Sequence, residues 1–144
     1  MKELIPGFQY YMVSQAGIII RDNKVLIVKT THDKPIWDIP GGRLDDGEEW
    51  EVGFRREMKE ELNLDTFTIQ DRIDFDIYYT KKAKHPMCVV VYLIDSEQED
   101  FKISFEHTDI KWISENEIND YEYIWTQAPR MLKRGFEAYR RHTS

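Results

Sequence analysis

The stretch that decides the fold is Gly41-Gly42-Arg43-Leu44-Asp45-Asp46-Gly47-Glu48-Glu49-Trp50-Glu51-Val52-Gly53-Phe54-Arg55-Arg56-Glu57-Met58-Lys59-Glu60-Glu61-Leu62-Asn63-Leu64. It begins with two glycines and an acidic turn and continues as a helical pattern. At about 3.6 residues per turn, three glutamates share one helix face: Glu57, Glu60 and Glu61. An apolar stripe that can pack on a core is expected on the opposite side, formed by Val52, Phe54, Met58 and Leu62. Because Asn63 tolerates the left-handed conformation, the helix is predicted to end at Leu62.

Three glutamates on one helix face repel one another, by roughly 4 kcal/mol per close pair at an effective dielectric constant of about 20. Such a cluster persists where water solvates the face or where a cation neutralises it. Carboxylates without a neighbouring histidine or cysteine suit a hard cation such as Mg²⁺ or Mn²⁺. Gly53 favours the cation, since a helix position that only faces water has no need of glycine. It predicts close approach of backbone or ligand to the carboxylates, and Gly41-Gly42 would allow the same approach.

The stretch also resembles the Nudix box, the signature of hydrolases that act on a nucleoside diphosphate linked to another group. The box pattern is matched over residues 42–64 by Gly42, Glu48, Arg56-Glu57-Met58-Lys59-Glu60-Glu61 and Leu62-Asn63-Leu64. Asn63 stands where the family usually has glycine, and asparagine is the mildest replacement at a left-handed cap. A looser similarity extends to residues 37–40, 104–107 and 111–113.

The resemblance implies a Mg²⁺-dependent pyrophosphohydrolase, with Mn²⁺ as the other candidate ion. It implies that the Gly42 carbonyl, Glu57 and Glu61 bind the metal, and that Glu60 binds it directly or through water. Arg56 is then expected to orient a glutamate by a bidentate contact, and Glu48 to support the loop by hydrogen bonding. A plain ion pair on the helix surface is the alternative for Arg56.

The general base comes from different places in the resembled family. Glu106 is the candidate in this chain, because Glu106-His107 before a tryptophan-containing strand recurs in several members. Glu97 and Glu99 are weaker rivals in an acidic loop. His107 is interpreted as structural.

The attached group is not defined by these residues. Nucleoside triphosphates, including oxidised ones, dinucleoside polyphosphates, nucleotide sugars and capped RNA all stay open. A non-catalytic nucleotide-binding sensor of the same fold is the alternative function. A plain interaction domain with a solvated acidic helix is the third hypothesis, and it predicts no stabilisation by divalent metal.

The composition limits the remaining classes of function. The 144 residues are 41% hydrophobic and predict one globular domain over 1–144. The formal net charge is -7, and residues 43–61 hold eight acidic side chains against four basic ones. This acidity argues for a small-molecule nucleotide partner and against nucleic acid or an anionic membrane. A single cysteine, Cys88, excludes a disulfide framework and fits a cytoplasmic location. A homodimer is compatible with the sequence.

The rest of the chain predicts a mixed α/β domain, which the resemblance narrows to a mixed sheet sandwiched between helices. Strands are predicted at residues 10–20, 25–28, 37–40, 67–80, 87–94 and 110–113, the first two as a hairpin. A helix is predicted from Ala128-Pro129, with a docked apolar side and a solvated basic face. Core packing is favoured over base stacking for four aromatic residues: Trp37, Tyr121, Tyr123 and Trp125. The lysines of residues 81–84 are interpreted as a solvated loop, with substrate phosphates as the alternative partner.

Overall fold

The fold is described by a computed structural model that covers residues 4–31, 33–80, 85–104 and 107–143. In chain order its elements are β1 (Met12–Arg21), β2 (Lys24–Thr30), β3 (Ile36–Asp38), β4 (Gly41–Arg43), α1 (Trp50–Leu62), β5 (Thr68–Thr80), β6 (His85–Asp95), β7 (His107–Ser114), a 3-10 helix (Glu115–Asp120), β8 (Glu122–Tyr123) and α2 (Ala128–Thr143). The six predicted strands and both predicted helices are confirmed. Strands β4 and β8 were not predicted, because segments of three and two residues carry no readable alternation.

Strand β1 organises the sheet. It pairs with β6 in parallel along most of its length, and with β4 and β2 in antiparallel fashion at its two ends. The strand order is β5-β6-β1-β2-β3-β8, with β4 on β1 and β7 on β2. The predicted hairpin joins β1 to β2 through Asp22 and Asn23, whose φ angles of 50° and 60° suit a tight two-residue turn. The sheet is therefore mixed, as the resemblance implied.

Both faces of the sheet are buried at β1 and β2, which explains the continuous apolar runs at residues 16–20 and 25–28. Alternate side chains belong to two separate cores. Ile18, Val25 and Ile27 pack with Met131, Leu132 and Phe136 of α2. Ile19, Leu26 and Val28 pack with Phe54, Met58 and Leu62 of α1. The expected fold, a single domain with a mixed sheet between helices, is confirmed.

The prediction for Val52 is wrong. Phe54, Met58 and Leu62 are fully buried, but Val52 is 60% exposed. Successive residues of an α-helix are separated by about 100°, so Val52 lies about 200° from Phe54 and points away from the core. Asn63 ends the helix as predicted, with φ 55° and ψ 34°.

The basic face of α2 is only partly solvated, which corrects a second prediction. Arg134 Nη1 lies 2.7 Å from Asp74 Oδ1 on β5, and Arg130 Nε lies 3.3 Å from Asp74 Oδ2. The Asp74 side chain is 3% exposed, so these arginines compensate a buried charge. Two residues of the basic face therefore attach α2 to the sheet.

Residues 81–84 lie outside the described residues, so both interpretations of their lysines stay predictions. Within the described ranges, neither helix is long and apolar enough to cross a membrane.

The contrast between Phe54 and Val52 can be tested by two truncations on the same helix. Phe54→Ala is expected to lower the free energy of unfolding by about 3–5 kcal/mol, because it leaves a cavity between α1 and the sheet. Val52→Ala is expected to change it by less than about 0.5 kcal/mol. Urea denaturation of both variants measures the difference, and similar losses would contradict the observed packing.

Candidate functional site

Glycines 41 and 42 bring the backbone of β4 against both β1 and α1. A Cβ atom on Gly41 would lie 1.9 Å from the backbone oxygen of Gln15, so a side chain there is incompatible with the pairing of β4 and β1. A Cβ atom on Gly42 would lie 1.8 Å from Glu57 Oε2. The predicted approach of bare backbone to the carboxylates is therefore found at Gly42.

At Gly53 the close approach comes from side chains and not from backbone; approach of a ligand stays a prediction. A Cβ atom there would lie 2.3 Å from Leu44 Cδ2 and 2.6 Å from Glu48 Oε1. The atoms nearest to Gly53 are thus side-chain atoms of the acidic turn, and no backbone atom is among them. The glycine lets the turn fold back over the first part of α1.

Arg56 lies at the centre of the acidic cluster. Its Nε and Nη2 donate to Glu48 Oε2 and Oε1 at 2.7 and 2.8 Å, which is a bidentate contact. Its Nη1 donates to Glu57 Oε1 at 2.9 Å and to Glu60 Oε2 at 3.1 Å, and Nη2 also donates to the carbonyl oxygen of Arg43 at 3.2 Å. Only 27% of the Arg56 side chain is exposed. A plain surface ion pair does not describe this arrangement.

The electrostatic effect of Arg56 differs among its partners. Its hydrogen bonds, with one from the Asp45 backbone N–H, lower the pKa of Glu48 to about 2. The pKa of Glu57 is raised by burial, which outweighs the opposing effect of Arg56, and the negative charges of Glu60 and Glu61 raise it further. Glu48 is therefore an anion that positions the guanidinium, whereas burial makes the charged form of Glu57 costly.

The glutamate face is not uniformly solvated. Glu57 is 8% exposed and Glu61 is 5% exposed, whereas Glu60 faces solvent. Glu61 Oε2 lies 2.7 Å from His107 Nδ1, at ion-pair distance. Yet within the described ranges Glu61 Oε2 is the one buried side-chain oxygen or nitrogen without a hydrogen bond of acceptable geometry. The burial of both carboxylates contradicts the fully solvated alternative for Glu57 and Glu61.

The donor atoms fit a hard divalent cation in kind: three carboxylates and the Gly42 carbonyl, which now accepts a hydrogen bond from Ser14 Oγ at 3.3 Å. No three acidic, histidine or cysteine side chains in the described part of the chain converge as a ready-made metal site. The reason is visible in the ion pairs, because Arg56 draws Glu57 and Glu60 toward itself. Rotation of these side chains away from Arg56 would free their oxygens for a cation.

Among the described residues, no contact places a candidate general base beside the glutamates of α1. Glu106 lies outside the described residues, so its assignment stays a prediction. Glu97 and Glu99 are exposed in the loop that follows β6. His107 is half-buried beside Glu61.

Asp38 was missed by the sequence analysis. Its Oδ1 accepts hydrogen bonds from Trp125 Nε1 at 2.6 Å and from the Ile39 backbone N–H at 2.8 Å. Burial raises the pKa of Asp38 to about 6; the Glu61 charge adds to this, and the Trp125 and Ile39 bonds and His107 oppose it. An aspartate between Trp37 and Ile39 in an apolar strand was the available signal. Its partner, Trp125, is too distant in the sequence to be inferred.

The four aromatic residues for which core packing was predicted differ in burial: Trp37 is fully inside the core, and the other three lie at its edge. Trp37 is buried and meets Tyr121 edge to face at a ring distance of 5.7 Å, as core packing predicts. Tyr121, Tyr123 and Trp125 are half-buried against the same core. Trp125 also lies near parallel to Tyr78 of β5, with ring centroids 6.4 Å apart.

Comparison with known proteins identifies relatives over most of the chain. The sequence pattern of the NUDIX domain matches residues 12–135. Nucleoside triphosphatase NudI of Escherichia coli is 26% identical over 117 residues, which are 73% of this chain and 83% of the relative. A MutT-like protein of Streptomyces ambofaciens is 25% identical over 114 residues, 76% of this chain and 68% of the relative. The solved structure of a C. elegans Ap4A hydrolase binary complex shares the fold, with a TM-score of 0.75, 23% identity and coverage of 91% and 98% of the two chains.

The raised pKa of Asp38 predicts a pH-dependent effect of Asp38→Asn on stability. Between about pH 4 and 6 the folded state binds a proton that the unfolded state has lost, so stability falls as the pH rises through this window. Removing the charge should therefore raise the free energy of unfolding at pH 7, by at most about 3 kcal/mol, and the gain should vanish near pH 4.

Urea denaturation with EDTA at the two pH values measures this effect. Asp109→Asn is the matched control, because exposed Asp109 makes the same 2.8 Å bond to a following isoleucine. A variant Asp38→Asn that is less stable than the wild type at pH 7 would contradict the prediction.

Proposed function

The chain belongs to the NUDIX domain family, and from this premise we propose that it is a Mg²⁺-dependent pyrophosphohydrolase that cleaves a nucleoside diphosphate linked to another group by attack of water on phosphorus. Members of the family are hydrolases that act on the diphosphate bonds of nucleotide derivatives, and they generally need a divalent metal. The observation that carries the proposal is the buried pair Glu57 and Glu61 beside the bare backbone of Gly42.

The proposed metal ligands are the oxygen atoms that meet at Gly42 and the glutamate face of α1. Glu57, Glu61 and the Gly42 carbonyl would hold the cation, and exposed Glu60 would bind it directly or through water. The bound cation would neutralise diphosphate oxygens and lower the pKa of the attacking water. Two observations support these ligands: the burial of both Glu57 and Glu61, and the close approach of the Gly42 backbone to the Glu57 carboxylate. Both carboxylates gain stability when positive charge is added beside them.

Arg56 and Glu48 are proposed as positioning residues. The bidentate contact fixes the guanidinium beside the glutamate face. There it holds Glu57 and Glu60 close to the site, from which they would turn toward a bound cation. Because Glu48 is held by the acidic turn through the Asp45 N–H, the turn and the helix face move as one unit. This arrangement keeps the carboxylates close together, where like charges alone would drive them apart.

Glu106 is retained as the proposed general base. The proposed substrate is a small-molecule nucleotide: a nucleoside triphosphate, a dinucleoside polyphosphate or a nucleotide sugar. The names of NudI and of the Ap4A hydrolase support the first two classes. We also predict that the chain forms a single NUDIX domain over residues 1–144, that the protein is cytoplasmic and that it forms a homodimer.

The proposal predicts that Glu61→Gln abolishes hydrolysis. We expect a loss in kcat of about 10²-fold or more, since the effect on a direct ligand should exceed the roughly 10–100-fold cost of losing a residue that only orients one. Glu51→Gln, on the exposed side of α1, should stay within about twofold of the wild type. A panel of nucleoside triphosphates, oxidised guanine nucleotides, dinucleoside polyphosphates and nucleotide sugars, with products identified by mass, provides the measurement.

Thermal melting gives a readout that is independent of turnover. Mg²⁺ or Mn²⁺ should raise the melting temperature of the wild type and of Glu51→Gln, but not of Glu61→Gln. If Glu61→Gln cleaves a substrate at the same rate as the wild type, Glu61 is not a metal ligand and its assignment is overturned. Tight nucleotide binding without any product in excess Mg²⁺ would instead favour the non-catalytic sensor.

A further inference from the structure

A carboxylate and two aromatic rings meet from three parts of the chain. Asp38 is the last residue of β3, Tyr78 lies on β5, and Trp125 follows β8. The indole N–H of Trp125 donates to Asp38, and the ring of Trp125 lies at 18° to that of Tyr78. We call these three residues the Asp38 cluster. All three are half-buried, so the cluster is accessible from solvent.

Among the described residues, hydrogen-bond donors reach one of the two carboxylate oxygens of Asp38. Oδ1 accepts from Trp125 and from the Ile39 backbone, which fills both of its lone pairs. Oδ2 has no donor within the described ranges and is not among the fully buried atoms that lack one, so solvent reaches this oxygen at the edge of a largely buried side chain. The two bonds to Oδ1 fix the carboxylate and leave Oδ2 in a set position.

The Asp38 cluster is next to the proposed diphosphate site. Strand β3 leads through Ile39 and Pro40 directly into β4, which carries Gly42. The charge of Glu61 acts on Asp38, and the charge of Arg43 acts on Tyr78. A nucleotide whose phosphates lie at the glutamates can therefore extend its other end to the Asp38 cluster.

We propose that the Asp38 cluster binds the nucleobase of the substrate, with the base stacked against Trp125 and Tyr78 and its N–H groups donating to Asp38 Oδ2. The proposal rests on the proposed nucleotide hydrolase function and narrows its substrate class. It assigns a preference for guanine nucleotides over uracil nucleotides.

The preference follows from the hydrogen-bonding edges of the bases. An ionised carboxylate oxygen accepts hydrogen bonds and cannot donate. Guanine presents two adjacent donors, N1–H and the exocyclic amino group, which both can reach one oxygen. Uracil presents N3–H between two carbonyl oxygens, and these would face the negative charge. Aromatic rings stack on every base, so Trp125 and Tyr78 supply affinity without selecting the base.

The first test compares kcat/KM for GTP and UTP with Mg²⁺. The wild type should prefer GTP by about tenfold or more, because a site that accepts hydrogen bonds from the base discriminates against a base that presents carbonyl oxygens there. Asp38→Asn presents an amide that can donate to a carbonyl, so the ratio should fall to within about threefold of one. Asp109→Asn should keep the wild-type ratio. A wild-type ratio near one, or a ratio that Asp38→Asn leaves unchanged, would overturn the proposal.

Two further comparisons separate base recognition from damage to the fold. Tyr78→Leu should lower kcat/KM for GTP and UTP by a similar factor and leave their ratio unchanged, because stacking does not depend on the base. Inosine triphosphate lacks the exocyclic amino group, so the wild type should have a lower kcat/KM for it than for GTP. This comparison needs no substitution in the protein. Equal use of inosine and guanine nucleotides would contradict the role of Oδ2.

Binding of GMP and UMP without metal distinguishes this proposal from the hydrolase function. If no nucleotide is hydrolysed, the proposed function fails. A preference for GMP over UMP that Asp38→Asn removes would still support the base site. Equal affinities for GMP and UMP would overturn the base site even if hydrolysis is observed.

Discussion

The structure depends on how a dense negative charge is held on one face of α1. Arg56 makes this possible, because one guanidinium contacts Glu48, Glu57 and Glu60 at hydrogen-bond distances and lies 3.5 Å from Asp45. A single positive charge does not balance these partners together with Glu61. Glu57 and Glu61 are buried, and the cost of burying two neighbouring carboxylates is the physical basis for proposing a divalent cation there.

The sheet and the acidic turn serve this arrangement. Gly41 lets β4 lie against β1, and Gly42 lets the carboxylate of Glu57 approach the backbone. Gly53 lets Leu44 and Glu48 cross the helix, so that Glu48 reaches Arg56. The opposite side of α1 is fixed by Phe54, Met58 and Leu62 in the core. Packing on one side and close approach on the other leave the glutamates little freedom to separate.

Local patterns predicted the features that depend on neighbouring residues. The strands, the end of α1 at Asn63 and the shared face of the glutamates follow from periodicities of two and 3.6. Contacts between distant segments were not predictable. Nothing near Asp38 in the sequence indicates Trp125, and nothing in the α2 pattern indicates that Arg134 binds Asp74. Val52 was assigned to the wrong side because it is apolar, although its angle on the helix excludes it. The roles of the glutamates themselves stay predictions that rest on chemistry and resemblance.

The most direct test of the central claim is to locate a bound ion. Crystals of the protein soaked with Mn²⁺ would show its position by anomalous scattering. We expect Mn²⁺ at about 2.0–2.3 Å from the Gly42 carbonyl and from carboxylate oxygens of Glu57 and Glu61, with the Glu57 side chain rotated away from Arg56. Mn²⁺ bound elsewhere, with Glu57 still on Arg56 and Glu61 still facing His107, would contradict this expectation.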